Sequence, residues 1–303
     1  MNRVLKYTRV TVSIIALIVI TMGLVCDSET MEALSDRLIK IQIFPATMTV
    51  AIGVLALWVS LTLLFGRLYC SSVCPMGTLQ DIIARLNRSL SRDTIPYRYS
   101  HAKNTTRLVT LIVVAISVTA GLTAIPALLD PYALYERFAT GIIRPIYGLG
   151  RIAVSSVSGV IIALVPIVAI SAVASRHGRT FCNTLCPVGT ALGAISRNSL
   201  LHIDINTDKC IHCRKCEQVC KASCIDLSDH VVDGSRCVTC FNCTDVCPNS
   251  AITYTTRRHR LSTPMMQRIK ESVTPDSPQP VMDFDNPQQT KHNDITRNNT
   301  STT

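Results

Sequence analysis

Four stretches of the chain carry no charged side chain over the length of a bilayer crossing. They are Val10–Cys26, Ile41–Gly66, Leu108–Leu129 and Ile152–Ser175, of 17, 26, 22 and 24 residues. A helix needs about 20 apolar residues to cross the hydrocarbon core, with about 17 as a working minimum. The pattern therefore predicts four transmembrane helices, the first at the short limit. Pro45, Pro126 and Pro166 fall inside these runs and are compatible with membrane helices, because neighbouring groups satisfy the freed carbonyls. Two of the runs pass directly into the frame G-R-x-x-C-x-x-x-C-P-x-G-T. It reads GRLYCSSVCPMGT at 66–78 and GRTFCNTLCPVGT at 178–190, an offset of 112 residues. Each copy follows a pair of predicted spans, so the two halves share one orientation, as in a parallel repeat.

Local patterns extend this picture. Proline after the second cysteine suits the first turn of a new helix, which needs no amide hydrogen there. In the first copy that helix places Leu79, Ile82, Ile83, Leu86 and Leu90 on one stripe with Arg85, Arg88 and Arg92 interspersed. This is the pattern of a helix lying on a membrane surface. Segment 130–150 spaces tyrosines and arginines as an interfacial belt does, so an anchoring turn on the outer face is expected there. A quinone-contacting segment is the alternative.

Composition agrees with a membrane class: of 303 residues 48% are hydrophobic and only 17% charged, and mean hydropathy is +0.30. The basic start MNRVLKYTRV raises a cleaved signal peptide as a rival to the first span. No A-x-A site follows it, and Val25 before Cys26 is large for a lipoprotein-type site, so a retained helix is expected. Lys and Arg number 3 in residues 1–9, 2 in 27–40, 7 in 67–107, 3 in 128–151 and 15 after Ser175. By the positive-inside rule both termini and the 67–107 loop lie in the cytoplasm, giving a multi-pass protein of the bacterial inner membrane. The net charge of +10 then marks the inner face, and no nucleic acid is needed to explain it. Thirteen of the 14 cysteines fall on the reducing side, where structural disulfides rarely persist. They are expected to be ligands, redox thiols or packing residues.

The densest cysteine signal lies near the end of the chain. Residues 210–220 read CIHCRKCEQVC and 237–248 read CVTCFNCTDVCP, each the C-x2-C-x2-C-x3-C spacing of two-cluster ferredoxins. Three close cysteines wrap one [4Fe-4S] cube while the fourth reaches the other. Cys210, Cys213, Cys216 and Cys247 are thus assigned to one cluster, and Cys237, Cys240, Cys243 and Cys220 to the second. Zinc is the rival metal for C-x2-C pairs. The two runs superpose at an offset of 27, which sets Cys224 over Ala251 and Lys221 over Pro248. Cys224 is read as a small buried packing position. Lys221 is read as a cation that raises the potential of a nearby cluster.

The chain divides into a transmembrane part at 1–200, a ferredoxin domain at 201–256 and a polar tail at 257–303. The tail lacks the apolar residues to offset chain entropy and is expected to be disordered. The fold class is an all-α membrane part, four transmembrane helices in two parallel repeats, plus a small α+β two-cluster ferredoxin-like domain. None of the seven histidines falls in a predicted span, which excludes a bis-histidine transmembrane haem held by this chain alone. No Asp, Glu, Lys or Arg lies in a span, so a proton relay there has no candidates. No GxGxxG or Walker A motif points to a nucleotide.

Two C-x3-C-P motifs at helix ends followed by a two-cluster ferredoxin domain resemble the membrane polyferredoxins. These include the membrane quinol-dehydrogenase subunit of periplasmic nitrate reductase and the nitrous-oxide-reductase regulator. The resemblance covers about residues 1–256 and implies one-electron transfer between the quinone pool and a partner redox protein, such as a ferredoxin, cytochrome or reductase subunit. This chain departs from some members in having no extra flavin domain and no C-terminal β-sandwich. The resemblance leaves Cys70, Cys74, Cys182 and Cys186 unassigned. Cysteines four apart share a helix face, and two such pairs converging across a pseudo-two-fold would supply the four thiolates of a third iron–sulfur centre. Reversible dithiols and inert buried thiols are the alternatives. For the whole chain the alternatives are a redox component of metallo-enzyme assembly or copper reduction, and a membrane anchor for a soluble oxidoreductase.

Overall fold

The structure, a computed structural model, describes residues 2–25, 42–43, 52–90, 96–122, 124–144 and 157–256. The predicted tail at 257–303 and the segments that flank several predicted spans lie outside the described residues. Among the described residues the first ten helices are α1 (Asn2–Val25), α2 (Ile52–Phe65), α3 (Leu68–Ser72), α4 (Pro75–Leu90), α5 (Asn104–Thr119), α6 (Ala124–Leu129), α7 (Pro131–Phe138), α8 (Val157–His177), α9 (Thr180–Thr184) and α10 (Pro187–Ser196). A π-helical turn, Ala139–Ile143, prolongs α7. The order long, short, proline-started recurs as α2–α3–α4 and α8–α9–α10, each carrying one C-x3-C-P frame.

Within α1 and α8, Arg3–Val25 and Gly159–His177 are long and apolar enough to cross a membrane. Both present bare apolar faces, with Ile14, Ile15 and Ile18 exposed on one and Ile161, Ile162 and Val165 on the other. The apolar helices α2 and α5 are shorter, at 14 and 16 residues. For the predicted span Ile41–Gly66, residues 44–51 lie outside the described part, so α2 represents its second half. The predicted span Leu108–Leu129 is corrected: the helix starts earlier, at Asn104, and stops at Thr119. Gly121 takes φ +74, and its N–H bonds Val118 O while that of Leu122 bonds Ser117 O at 2.8 Å. That pair of bonds is a glycine-ended Schellman cap, which turns the chain before α6.

Segment 130–144 also departs from expectation. Asp130 caps α7 by accepting a hydrogen bond from Ala133 N at 2.7 Å, and Pro131 opens the first turn. The chain therefore starts a new helix that packs back against the bundle. Tyr132, Tyr135 and Ala139 are buried against Ile20 of α1, and the Tyr135 hydroxyl lies 2.6 Å from Thr21 Oγ1.

The cysteine-rich part is built on two small antiparallel sheets. In one, β1 (His202–Ile205) pairs with β4 (Ile252–Thr255), His202 opposite Thr255. In the other, β2 (Ile225–Asp226) pairs with β3 (Val231–Val232). Two short helices, α11 (Lys215–Gln218) and α12 (Asn242–Val246), lie within the two cysteine runs. This part sits on the end of α2, whose last carbonyls need partners. Leu200 N and Leu201 N bond Leu63 O and Leu64 O at 2.7 and 2.8 Å, and the Tyr254 hydroxyl bonds Phe65 O at 2.9 Å. From α1, Lys6 reaches Asp245 at 2.6 Å. Residues 97–100 form a strap across the first run, with Tyr99 N donating to Glu217 Oε1 and Ser100 N to Ser223 O.

Candidate iron–sulfur centres

Each cysteine run is coiled by the same backbone device. His212, Arg214 and Ser223 take φ of 50, 56 and 50, and Thr239, Phe241 and Ser250 take 50, 60 and 49. These are equivalent positions at the offset of 27. A left-handed residue other than glycine costs about 1–2 kcal/mol, so three repeated in register mark a conformation held for a purpose. Successive amides in such turns form a concave nest for negative charge. The outcome is two cavities. One, with about 350 Å³ of empty space partly open to solvent, is lined by Cys210, Cys213, Cys216 and Cys247. The other, with about 320 Å³, is lined by Cys220, Cys237, Cys240 and Cys243, and by Cys224. Each cavity thus gathers three thiols of one run and the last thiol of the other. The first is the outer cavity, where Cys213 is exposed and Ile211 is 60% exposed. The second is the inner one, where Cys220 and Cys243 are buried.

The donor sets fit [4Fe-4S] cubes: four thiols face each space and no carboxylate lines either cavity. Burial pushes Cys216 up to about 11 and holds Cys243 well above its ordinary value, with neighbouring thiols adding repulsion. In the inner set the hydrogen bond with Cys224 draws Cys220 down to about 7, and thiolates gathered in this way suit a positively charged metal core.

The motif cysteines Cys70, Cys74, Cys182 and Cys186, each no more than 6% exposed, lie together in one core with Trp58, Tyr69 and Phe181. Burial and then mutual repulsion raise Cys74 and Cys186, and burial pushes Cys182 up to about 11. Cys186 is the N-cap of α10, its Sγ accepting from Gly189 N at 3.2 Å. The frame's other residues explain themselves across the two copies. Arg179 Nη1 donates to Cys70 O at 2.6 Å and Arg67 Nη2 to Cys182 O at 3.4 Å, so each copy's arginine holds the other copy's cysteine turn. A Cβ on Gly77 would meet Cys70 O at 2.4 Å, and one on Gly189 would meet Cys182 O at 2.2 Å. Gly66 and Gly178 take φ +77 and +65, and a Cβ on Gly178 would lie 2.5 Å from Lys221 O. Those two glycines admit the ferredoxin loops.

Between the motif core and the inner cavity lies a surplus of buried positive charge. Asp81 accepts from Arg9 at 2.6 Å and Arg179 at 2.8 Å, with Lys221 at 3.2 Å. Burial alone would raise the Asp81 carboxyl, but Arg179, Lys221 and Arg9 hold it far below its usual range. Arg67 is fully buried, and its bonds go to Asn183 Oδ1, Cys182 O and Ser235 O, with Cys70 Sγ at 3.8 Å. Three buried cations thus share one carboxylate, and the buried Arg67 beside them bonds neutral acceptors. Buried charge without compensation is costly.

Sequence reasoning placed the ferredoxin cysteines by spacing but missed Arg9, Asp81 and the exchange between the two arginines. The recurrence of Arg67 and Arg179 inside the frame was the available signal for that exchange, whereas Arg9 and Asp81 lie outside the frame. Lys221 is placed near the inner cavity as expected, but its ammonium is engaged by Asp81, so its charge acts within that network.

A family profile described as a 4Fe-4S binding domain matches the chain twice, at residues 47–93 and 158–206. Each match contains one C-x3-C-P copy. The gathered thiols and these matches make the chain similar to iron–sulfur proteins of the polyferredoxin-like class. Among curated proteins it is similar to the ferredoxin-type protein NapH of Haemophilus influenzae, 29% identical over 160 residues, 51% of this chain and 47% of that protein. The methylamine utilization ferredoxin-type protein MauN of Paracoccus denitrificans is 28% identical over 194 residues, 62% of this chain and 61% of its own. The protein YccM of Escherichia coli K12 is 27% identical over 180 residues, 58% and 47% of the two chains. The chain thus spans about half to three fifths of these relatives' lengths. No solved structure matches.

Proposed function

We propose that this chain is an inner-membrane electron-transfer protein linking the quinone pool to a partner redox protein through three iron–sulfur centres. Cys210, Cys213, Cys216 and Cys247 would hold the outer [4Fe-4S] cluster, and Cys220, Cys237, Cys240 and Cys243 the inner one. Cys70, Cys74, Cys182 and Cys186 would hold the third centre. When bound, such clusters supply one-electron chemistry at spaced stations. The observation that carries the reading is the continuity of the thiols: Val238 lies in the same buried core as the four motif cysteines, and Cys240 packs against it. The inner cavity therefore adjoins the motif core, and the outer cavity opens to solvent.

The chain's own residues fit these roles. Arg67, Arg179 and Lys221 place positive charge beside the buried sulfurs, favouring the more negative, reduced state. Cys70 and Cys182 stand just past the ends of apolar helices α2 and α8, where a lipid-soluble quinol has access. The bare apolar faces of α1, α2, α5 and α8 support four spans in lipid, and the Lys and Arg distribution supports a cytoplasmic ferredoxin domain. Segment 130–144, packed beside the motif core, takes the quinone-contacting role that the sequence left as the alternative. The two profile matches support the parallel repeat and the third centre.

The test is an iron count with EPR redox titration on anaerobically purified chain. Three cubes predict about 12 irons, falling to about 8 when the four C-x3-C-P cysteines are all replaced by serine. About 8 irons in both proteins would remove the third centre, and colourless or zinc-only wild type would remove the reading.

A further inference from the structure

The inner cavity holds a fifth thiol that neither run's spacing calls for. Cys224 is 1% exposed, lines the cavity with the four proposed ligands, and has its Sγ 3.5 Å from Cys220 Sγ. That separation is far beyond a disulfide's 2.03–2.05 Å and suits an S–H···S hydrogen bond. Cys237 lines the same cavity. The equivalent position beside the outer cavity is Ala251, which has no side-chain donor. There the corresponding ligand sulfur, Cys247 Sγ, accepts only the Ala251 backbone N–H among the bonds seen, at 3.3 Å.

Resting on the two-cluster reading, we propose that Cys224 is a hydrogen-bond donor to the ligand sulfur of Cys220 and makes the inner cluster the higher-potential one of the ferredoxin pair. A thiolate bound to iron has no proton, so the proton shared between Cys220 and Cys224 belongs to Cys224. A donor pointing at a ligand sulfur stabilises the reduced cluster more than the oxidised one, because the reduced form carries the additional negative charge. Replacement of a side-chain donor by Ala251 at the outer site removes this bias there. Electrons in the pair consequently rest on the inner cluster, next to the motif core, and leave through the outer one only when a partner draws them. Cys224 acts through Cys220 and is a positioning residue.

The experiment compares wild type, Cys224→Ala and Cys224→Ser, each as the full chain purified anaerobically. Iron and acid-labile sulfide are measured, and the midpoints are read by EPR redox titration. Cys224→Ala copies the residue found at the outer site. It is expected to keep the wild-type iron content and to shift one midpoint to more negative potential while the others stay in place. Cys224→Ser, which retains an O–H donor, is expected to recover part of that shift. Unmoved midpoints at full iron overturn the proposal, as does an equal shift of every centre. Loss of about four irons in Cys224→Ala also overturns it, by making Cys224 a ligand. Failure of the cluster reading itself is seen separately, as absence of iron in the wild type.

Discussion

Asp81 is one carboxylate set against Arg9, Arg179 and Lys221. Removing one member of a buried ionic set leaves the others uncompensated, at a cost of about 3–5 kcal/mol. Asp81→Asn is expected to lower stability by that order in denaturant unfolding. The pH dependence follows from the depressed carboxyl. Its contribution is complete above the unfolded value of about 3.9 and is lost as pH falls below it. Wild type should therefore weaken below about pH 4, and Asp81→Asn should flatten that limb. Gly77 and Gly189 are constrained by space, each facing a cysteine carbonyl at under 2.5 Å from a would-be Cβ. Gly77→Ala or Gly189→Ala is expected to cost about 1–3 kcal/mol, as overpacking does, and to lower iron at the motif cysteines more than at the other eight. That the frame specifies backbone shape was legible in the sequence. Which atom each glycine meets was not, because the carbonyl lies on another turn.

At the scale of elements, the cysteine runs combine tight coils with strained residues. Arg214 takes φ 56 as the N-cap of α11 and makes no side-chain cap bond. Arg214→Gly is expected to keep full iron and to raise stability by about 0.5–1 kcal/mol, since glycine pays no steric penalty there. A large iron loss would show that the side chain has a role the backbone does not explain. The helices teach a related lesson. An uncharged run from Leu108 to Leu129 is one segment by hydropathy, yet Gly121 and a Schellman cap divide it. Similarly, Asp130 and Pro131 read as an interfacial turn by composition, but together they start a helix that turns inward. Hydropathy registers solvent preference averaged over a window, whereas a cap acts through one or two backbone bonds.

In the whole molecule, the three thiol sets form a sequence of stations from the helix ends to an exposed surface. If quinol enters at the motif core, Cys74→Ser in membranes is expected to abolish reduction of the ferredoxin clusters by quinol while leaving their reduction by dithionite intact. Retained quinol reduction would place the entry point elsewhere. By itself, the amino-acid sequence determined which cysteines stand at ferredoxin spacing and where the apolar runs lie. Ligand reach and solvent preference are properties of neighbouring residues, so spacing and composition record them. Only the tertiary structure decided that the two C-x3-C-P turns share one core, that Arg67 and Arg179 exchange partners, and that Cys224 lies against Cys220. Those contacts depend on which faces meet across more than a hundred residues or on how a loop closes, and a sequence period carries no record of its partner.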